Sequence, residues 1–242
     1  MIYIFPDYSA LSEQAAAMIV RTGEHCIDEN GWFNLVLSGG KTPEGVYRKL
    51  GERTRDNRKF WENTVLFWGD ERCVPADDPD SNYHMVRQAL LFNVPVPATN
   101  IHRIEAEQPD TEKMILLYEK KYPERADLVL LGMGSDGHTA SLFPHSPVLH
   151  MTSRLFAPAQ SPVAPIRRIT MTPPAIHAAK NVLVLVSGKS KAELLLEIFR
   201  KNGNVHERPV RLVRDRTWYV DRDAAFFLIK TDMKNMRMVD MS

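Results

Sequence analysis

The chain has 242 residues, of which 44% are hydrophobic and 25% charged, and 31 Lys and Arg stand against 30 Asp and Glu for a formal net charge of +1. That length can bury a sizeable core without metal or disulfide staples, and the composition excludes disorder and fibrous repeats. The balanced charge leaves no global field to attract nucleic acid or an anionic membrane, so any anionic ligand must be met locally.

In chain order, residues 3–5 form the first short apolar run that reads as a buried strand. Leu11, Ala15, Met18 and Thr22 follow at helical spacing, with Ser9 as the expected cap. A second run, 34–37, leads into Ser38-Gly39-Gly40-Lys41-Thr42-Pro43, where Thr42 is the expected helix N-cap and Pro43 the first helical residue. The run 65–68 ends in Gly69-Asp70-Glu71-Arg72. Met114, Leu117, Tyr118 and Lys121 repeat at helical spacing after Pro109-Asp110, and the run 128–131 precedes Gly132-Met133-Gly134-Ser135-Asp136-Gly137-His138. The proline-rich segment 156–174 lacks helical periodicity until Pro173-Pro174 open a helix through Ala178, and it reads as a long excursion within one domain spanning 1–242. The last run, 182–186, ends in Ser187-Gly188-Lys189-Ser190-Lys191.

Apolar runs alternating with helical patterns predict an α/β fold, a mostly parallel sheet with helices on both faces. Ligands of such sheets sit outside the carboxyl ends of the strands, so the four polar, glycine-bearing loops after these runs should gather into one site.

The first of these loops suits an anion. Gly39 and Gly40 allow close backbone approach, a helix start presents free N–H groups, and Lys41 adds a point charge. Its Gly40-Lys41-Thr42 ending is not a nucleotide P-loop, because that pattern needs glycine where Leu35 stands. The third loop spells Gly132-x-Gly134-x-x-Gly137, yet no acidic residue lies between Asp136 and Glu193 to take a ribose, and Pro144 interrupts any following helix. No dinucleotide or other cofactor is therefore expected, and the glycines read as shaping a turn that presents Asp136 and His138. The same acid-free stretch carries Arg154, Arg167, Arg168, Lys180, Lys189 and Lys191, which points to a local anion site. His138 sits among small polar residues rather than on an apolar stripe, and histidine can take a proton from water near neutral pH. His138, His145 and His150 lack the interleaved ligands of a zinc site, and no Gly-x-Ser-x-Gly elbow occurs.

Cys26 and Cys73 form no Cys-x-x-Cys pair and read as two buried apolar thiols in a reducing compartment. Residues 1–7 carry no basic residue and no small-residue cleavage site, and no later run is long enough to span a bilayer. A cytoplasmic chain is expected, without membrane or nucleic-acid partners. With no extended apolar helix face, it should be a monomer.

Taken together, Ser38-Gly39-Gly40-Lys41-Thr42-Pro43, Asp70-Glu71-Arg72 with Ser81-Asn82, the run from Gly132 through His138 to Pro144, and Arg168-Ile169-Thr170-Met171-Thr172 resemble the 6-phosphogluconolactonase family, a relative of the glucosamine-6-phosphate deaminases. The resemblance implies a modified Rossmann-like fold and metal-independent hydrolysis of 6-phospho-D-glucono-1,5-lactone, a phosphorylated sugar lactone, in the oxidative pentose phosphate pathway. It implies that Gly39, Gly40, Lys41 and Thr42 hold phosphate with Arg168 and Lys191, and that His138 activates water. Asp136 would support His138, and Asp70 and Arg72 would belong to the site through the Asp-Glu-Arg loop. Lys41 departs from the small residue or Arg that family members often carry. A deaminase or sugar-phosphate isomerase is the nearest rival, but the deaminases place a glutamate soon after the Gly-His loop, and residues 139–144 contain no carboxylate. A non-catalytic sugar-phosphate sensor is the third reading; it would be expected to have lost Asp70, Asp136 or His138.

Overall fold

The computed structural model describes residues 1–200, 203–231 and 238–241. The chain opens with β1 (Ile2–Phe5) and α1 (Tyr8–Asn30). Asp7, not Ser9, caps α1: its carboxylate accepts from the Ala10 N–H at 2.8 Å. Leu11, Ala15 and Ile19 form the fully buried stripe of α1, whereas Met18 and Thr22 are half-buried. Gly31, at φ +81°, ends the helix in the left-handed conformation that glycine adopts without penalty.

Next come β2 (Phe33–Leu37), α2 (Lys41–Thr54), α3 (Arg58–Glu62), β3 (Thr64–Trp68), β4 (Asp70–Arg72), α4 (Asn82–Ala89), β5 (Ile101–His102), α5 (Thr111–Lys121) and β6 (Leu128–Gly132). On α5 the buried residues are Met114, Ile115 and Tyr118, while Leu117 of the expected stripe faces solvent. The remaining elements are β7 (Phe156–Gln160), β8 (Arg167–Met171), α6 (Pro173–Ala178), β9 (Asn181–Val186), α7 (Ala192–Arg200), β10 (Thr217–Asp221), α8 (Phe226–Ile229) and β11 (Met238–Asp240).

Eight strands form one sheet in the order β11-β1-β10-β9-β6-β2-β3-β5, and every pair in it is parallel. Strands covered on both faces need apolar residues at consecutive positions rather than alternate ones. β6 meets that need, since Leu128, Val129, Leu130 and Leu131 are all buried. The parallel α/β architecture is as expected.

The segment 156–174 is not an irregular excursion. It folds back as the antiparallel pair β7 and β8, and β8 pairs with β4 to make a small second sheet. Pro158 stands on β7, an edge strand, where the missing N–H breaks no ladder. Gly69 is the corner between the two sheets: its N–H donates to the Leu37 carbonyl at 2.9 Å, and its carbonyl accepts from the Met171 N–H at 2.7 Å. The side sheet thus stands over the carboxyl end of β3. Cys26 is buried as expected, whereas Cys73, just beyond β4, is half-exposed.

Candidate active site

The loops after β2, β3, β6 and β9 meet in one cleft of about 540 Å³ at the carboxyl edge of the parallel sheet. Of the residues singled out from sequence, Gly39, Gly40, Lys41, Thr42, Asp70, Arg72, His138, Arg168 and Lys191 line it. Asp136 stands behind His138 and borders the neighbouring hollow instead.

At the first loop, α2 begins at Lys41, one residue before the expected cap, and Gly40 takes the cap position with φ +104°. No side chain caps this helix. Its first N–H groups are therefore left for a ligand, with the positive end of the helix dipole behind them. Thr42 uses its hydroxyl in another way, bridging at 2.8 Å to the Ser187 hydroxyl of the fourth loop. The Tyr47 hydroxyl pins the loop from below, accepting from the Ser38 N–H and donating to the Ser38 carbonyl, each at 2.8 Å.

β4 carries the Asp-Glu-Arg loop. Asp70 is 7% exposed, and its Oδ2 accepts from the Ser141 hydroxyl at 2.7 Å. Glu71 is more deeply buried and binds the start of α4: its carboxylate accepts from the N–H groups of Arg72, Asn82 and Tyr83 at 2.7–2.8 Å and from the Ser81 hydroxyl at 3.1 Å. Burial pushes the Glu71 carboxyl up, against the pull of those three N–H groups. The Arg72 guanidinium donates to the Asp80 carbonyl. Arg168 lies opposite Arg72 in the β4–β8 register and is 7% exposed, with a buried Nε that has no hydrogen-bond partner. Burial and the neighbouring Arg72 charge both lower the Arg168 pKa. A buried guanidinium in this state is poised for an anion.

The third loop builds a dyad. His138 Nδ1 lies 2.6 Å from Asp136 Oδ1, which also accepts from the His138 N–H at 3.1 Å. Burial opposes ionisation of Asp136, but the hydrogen bonds from His138 overcome it and hold the carboxyl at about 2. An ionised Asp136 keeps the proton on Nδ1 and leaves the Nε2 lone pair free. Gly134 is obligatory, since a Cβ there would lie 2.1 Å from His138 Nδ1. The Phe143 ring packs on the imidazole with centroids 4.7 Å apart. In the fourth loop, Lys191 faces the cleft, and its pKa is lowered by burial and partly restored by Asp136.

The acid-free basic stretch does not act as a unit. Arg154 pairs with Glu112 at 2.7 Å, Lys180 pairs with Asp127 at 2.7 Å, and Lys189 lies over the Phe226 ring. Arg167 is exposed on β8, so only Arg168 and Lys191 of that group reach the cleft. Among the described residues, no group of three His, Cys, Asp or Glu side chains is placed to hold a metal ion, and no helix is long and apolar enough to cross a membrane.

The family described as glucosamine-6-phosphate isomerases/6-phosphogluconolactonase matches residues 6–220. The chain belongs to this family. Within it, a 6-phosphogluconolactonase of Synechocystis sp. is 37% identical over 228 residues, covering 88% of this chain and 92% of the relative. A 6-phosphogluconolactonase structure from Trypanosoma brucei is similar with a TM-score of 0.83 at 28% identity, over 94% of this chain and 98% of that one. A monomeric glucosamine-6-phosphate deaminase has a TM-score of 0.81 at 24% identity, over 93% of this chain and 99% of that one, a likeness of fold alone. Both branches of the glucosamine-6-phosphate isomerase/6-phosphogluconolactonase family thus share this architecture.

Sequence reasoning assigned no role to Glu71, Asn82, Ser141, Thr170 or Asp221. Asp221 ends β10 and accepts the Gly188 N–H on both carboxylate oxygens at 3.0 Å, which fixes the turn that carries Lys191. The run Trp218-Tyr219-Val220 was the available signal for that strand.

Proposed function

We propose that this chain is a 6-phosphogluconolactonase in which His138, supported by Asp136, activates the hydrolytic water without a metal ion. The observation that carries this reading is the 2.6 Å His138–Asp136 contact on a half-buried loop bordering a cation-rich cleft. The names of the similar lactonases support the substrate.

In this reading the phosphate rests on the N–H groups at the start of α2, between Arg168, Lys191 and Arg72. Anchoring at that distance positions the lactone carbonyl before His138. His138 Nε2 takes a proton from water as its oxygen bonds to the carbonyl carbon. The resulting oxyanion is stabilised by N–H groups or a cation of the cleft. As it collapses, the bond from that carbon to the ring oxygen breaks and His138 returns the proton to the departing oxygen. The product is an open-chain acid, which ionises, and imidazole is regenerated.

The absence of a carboxylate in residues 139–144 favours this chemistry over deamination, whose family members carry a glutamate there. A sensor is disfavoured by the intact dyad. We place the enzyme in the oxidative pentose phosphate pathway as a cytoplasmic monomer of one domain. Acid release from freshly made 6-phosphogluconolactone, measured with and without the protein, tests the reading. A rate equal to the spontaneous one would reject it.

A further inference from the structure

The cleft contains a buried amide that joins two of its loops. Asn82, the first residue of α4, is 2% exposed and borders the cleft. Its Nδ2 donates to the Asp70 carbonyl at 2.9 Å and to Asp70 Oδ1 at 3.3 Å. Its Oδ1 faces the other way, against the phosphate loop, so closely that a Cβ on Gly39 would lie 1.9 Å from it. Gly39 therefore lacks a side chain because Asn82 fills the space. Asn82 is itself held from behind, because its backbone N–H, the Tyr83 N–H and the Ser81 hydroxyl all end on the buried Glu71 carboxylate. The second Asp70 oxygen is held from the His138 loop by Ser141, whose own N–H donates to Thr170 Oγ1 at 3.0 Å.

We propose that Asn82 is a positioning residue: it fixes the Asp70 carboxylate relative to Gly39, so that the phosphate loop and the Asp-Glu-Arg loop present their groups to substrate as one unit. The amide is suited to this because its two ends differ in character, an Nδ2 that donates to both acceptors of Asp70 and an uncharged Oδ1 that packs against Gly39 of the phosphate loop. No other side chain of that size offers both ends without charge. The inference rests on the reading of Asp70 and Gly39 as substrate-facing residues.

Asn82→Asp tests it, because shape is kept while the donor becomes a carboxylate beside Asp70. The other charged or titratable groups around Asp70 are Glu71 on the same strand, Arg72, Arg168 across the β4–β8 pair and the Tyr47 hydroxyl. Two carboxylates this close share one proton as pH falls, and the shared proton restores a donor to Asp70. At pH 8 the variant should lose about 10- to 100-fold in kcat/KM, the range for removing a hydrogen bond to a charged group. At pH 5.5 the deficit relative to the parent at the same pH should shrink several-fold. Asn82→Ser, which removes the amide without adding charge, should lose about ten-fold equally at both pH values. Circular dichroism and 6-phosphogluconate titration calorimetry establish that each variant folds and binds.

A folded Asn82→Asp or Asn82→Ser variant with the parent's kcat/KM would overturn the inference. A deficit in Asn82→Asp that is the same at both pH values would overturn it as well, since that is the signature of mere packing damage. An inactive parent would instead reject the lactonase reading, which these variants leave separate.

Discussion

Arg168 stands directly across the β4–β8 pair from Arg72, and neither side chain has a carboxylate partner within ion-pair distance among the described residues. Two adjacent guanidiniums repel each other until an anion arrives between them. Replacing Arg168 or Lys191 with Ala should therefore raise KM for the phosphorylated lactone by roughly 10- to 100-fold, with a much smaller change for the unphosphorylated sugar lactone. Contacts made equally to substrate and transition state appear in KM more than in kcat. Equal losses on both substrates would take these residues out of the phosphate site.

Replacing His138 with Asn removes the proposed base while preserving size and polarity. We expect kcat to fall by roughly two to four orders of magnitude, with KM and phosphate-analogue binding nearly unchanged. Spontaneous hydrolysis must be subtracted from each rate. Near-parental kcat in a folded variant would return His138 to a structural role.

Gly134→Ala probes the same group from behind. Its Cβ would stand 2.1 Å from His138 Nδ1, so the imidazole has to leave Asp136 or the loop has to shift. Overpacking of this kind costs about 1–3 kcal/mol. We expect a lower melting temperature, and a kcat loss approaching that of His138→Asn. A variant with both values intact would show that the dyad geometry is not needed.

The low Asp136 pKa gives a pH signature of stability. Its folded value of about 2 lies below the ordinary 3.8, so between those values the unfolded state binds more protons than the folded one. The stabilisation is present in full above 3.8 and is lost as pH falls through about 2. Denaturant unfolding followed from pH 5 to pH 2 should show a steeper acid loss for the parent than for Asp136→Asn. Parallel curves would mean that the pair contributes no stability through this proton.

The central strands were legible in the sequence because burial on both faces forces unbroken apolar runs such as 128–131, and a run of that kind carries its own signal. The four strand-end loops followed from them, since a parallel sheet puts all its strand-to-helix loops on one edge. His138, Gly39 and Gly40 were readable for the same local reason. The pairing of charges was decided only by tertiary structure. Arg154 and Lys180 lie in an acid-free stretch of sequence, yet each meets a carboxylate from a distant segment, Glu112 and Asp127, while Arg168 is carried by β8 to Arg72. The strands β7 and β8 were hidden because an edge strand tolerates Pro158 and an exposed face, which blurs the period of two. Asn82 was invisible as a linker for a related reason. Its amide matters only because Glu71 fixes the start of α4 and Gly39 leaves room for it, and those contacts join residues 43 and 11 positions away in the chain, distances at which no spacing rule applies.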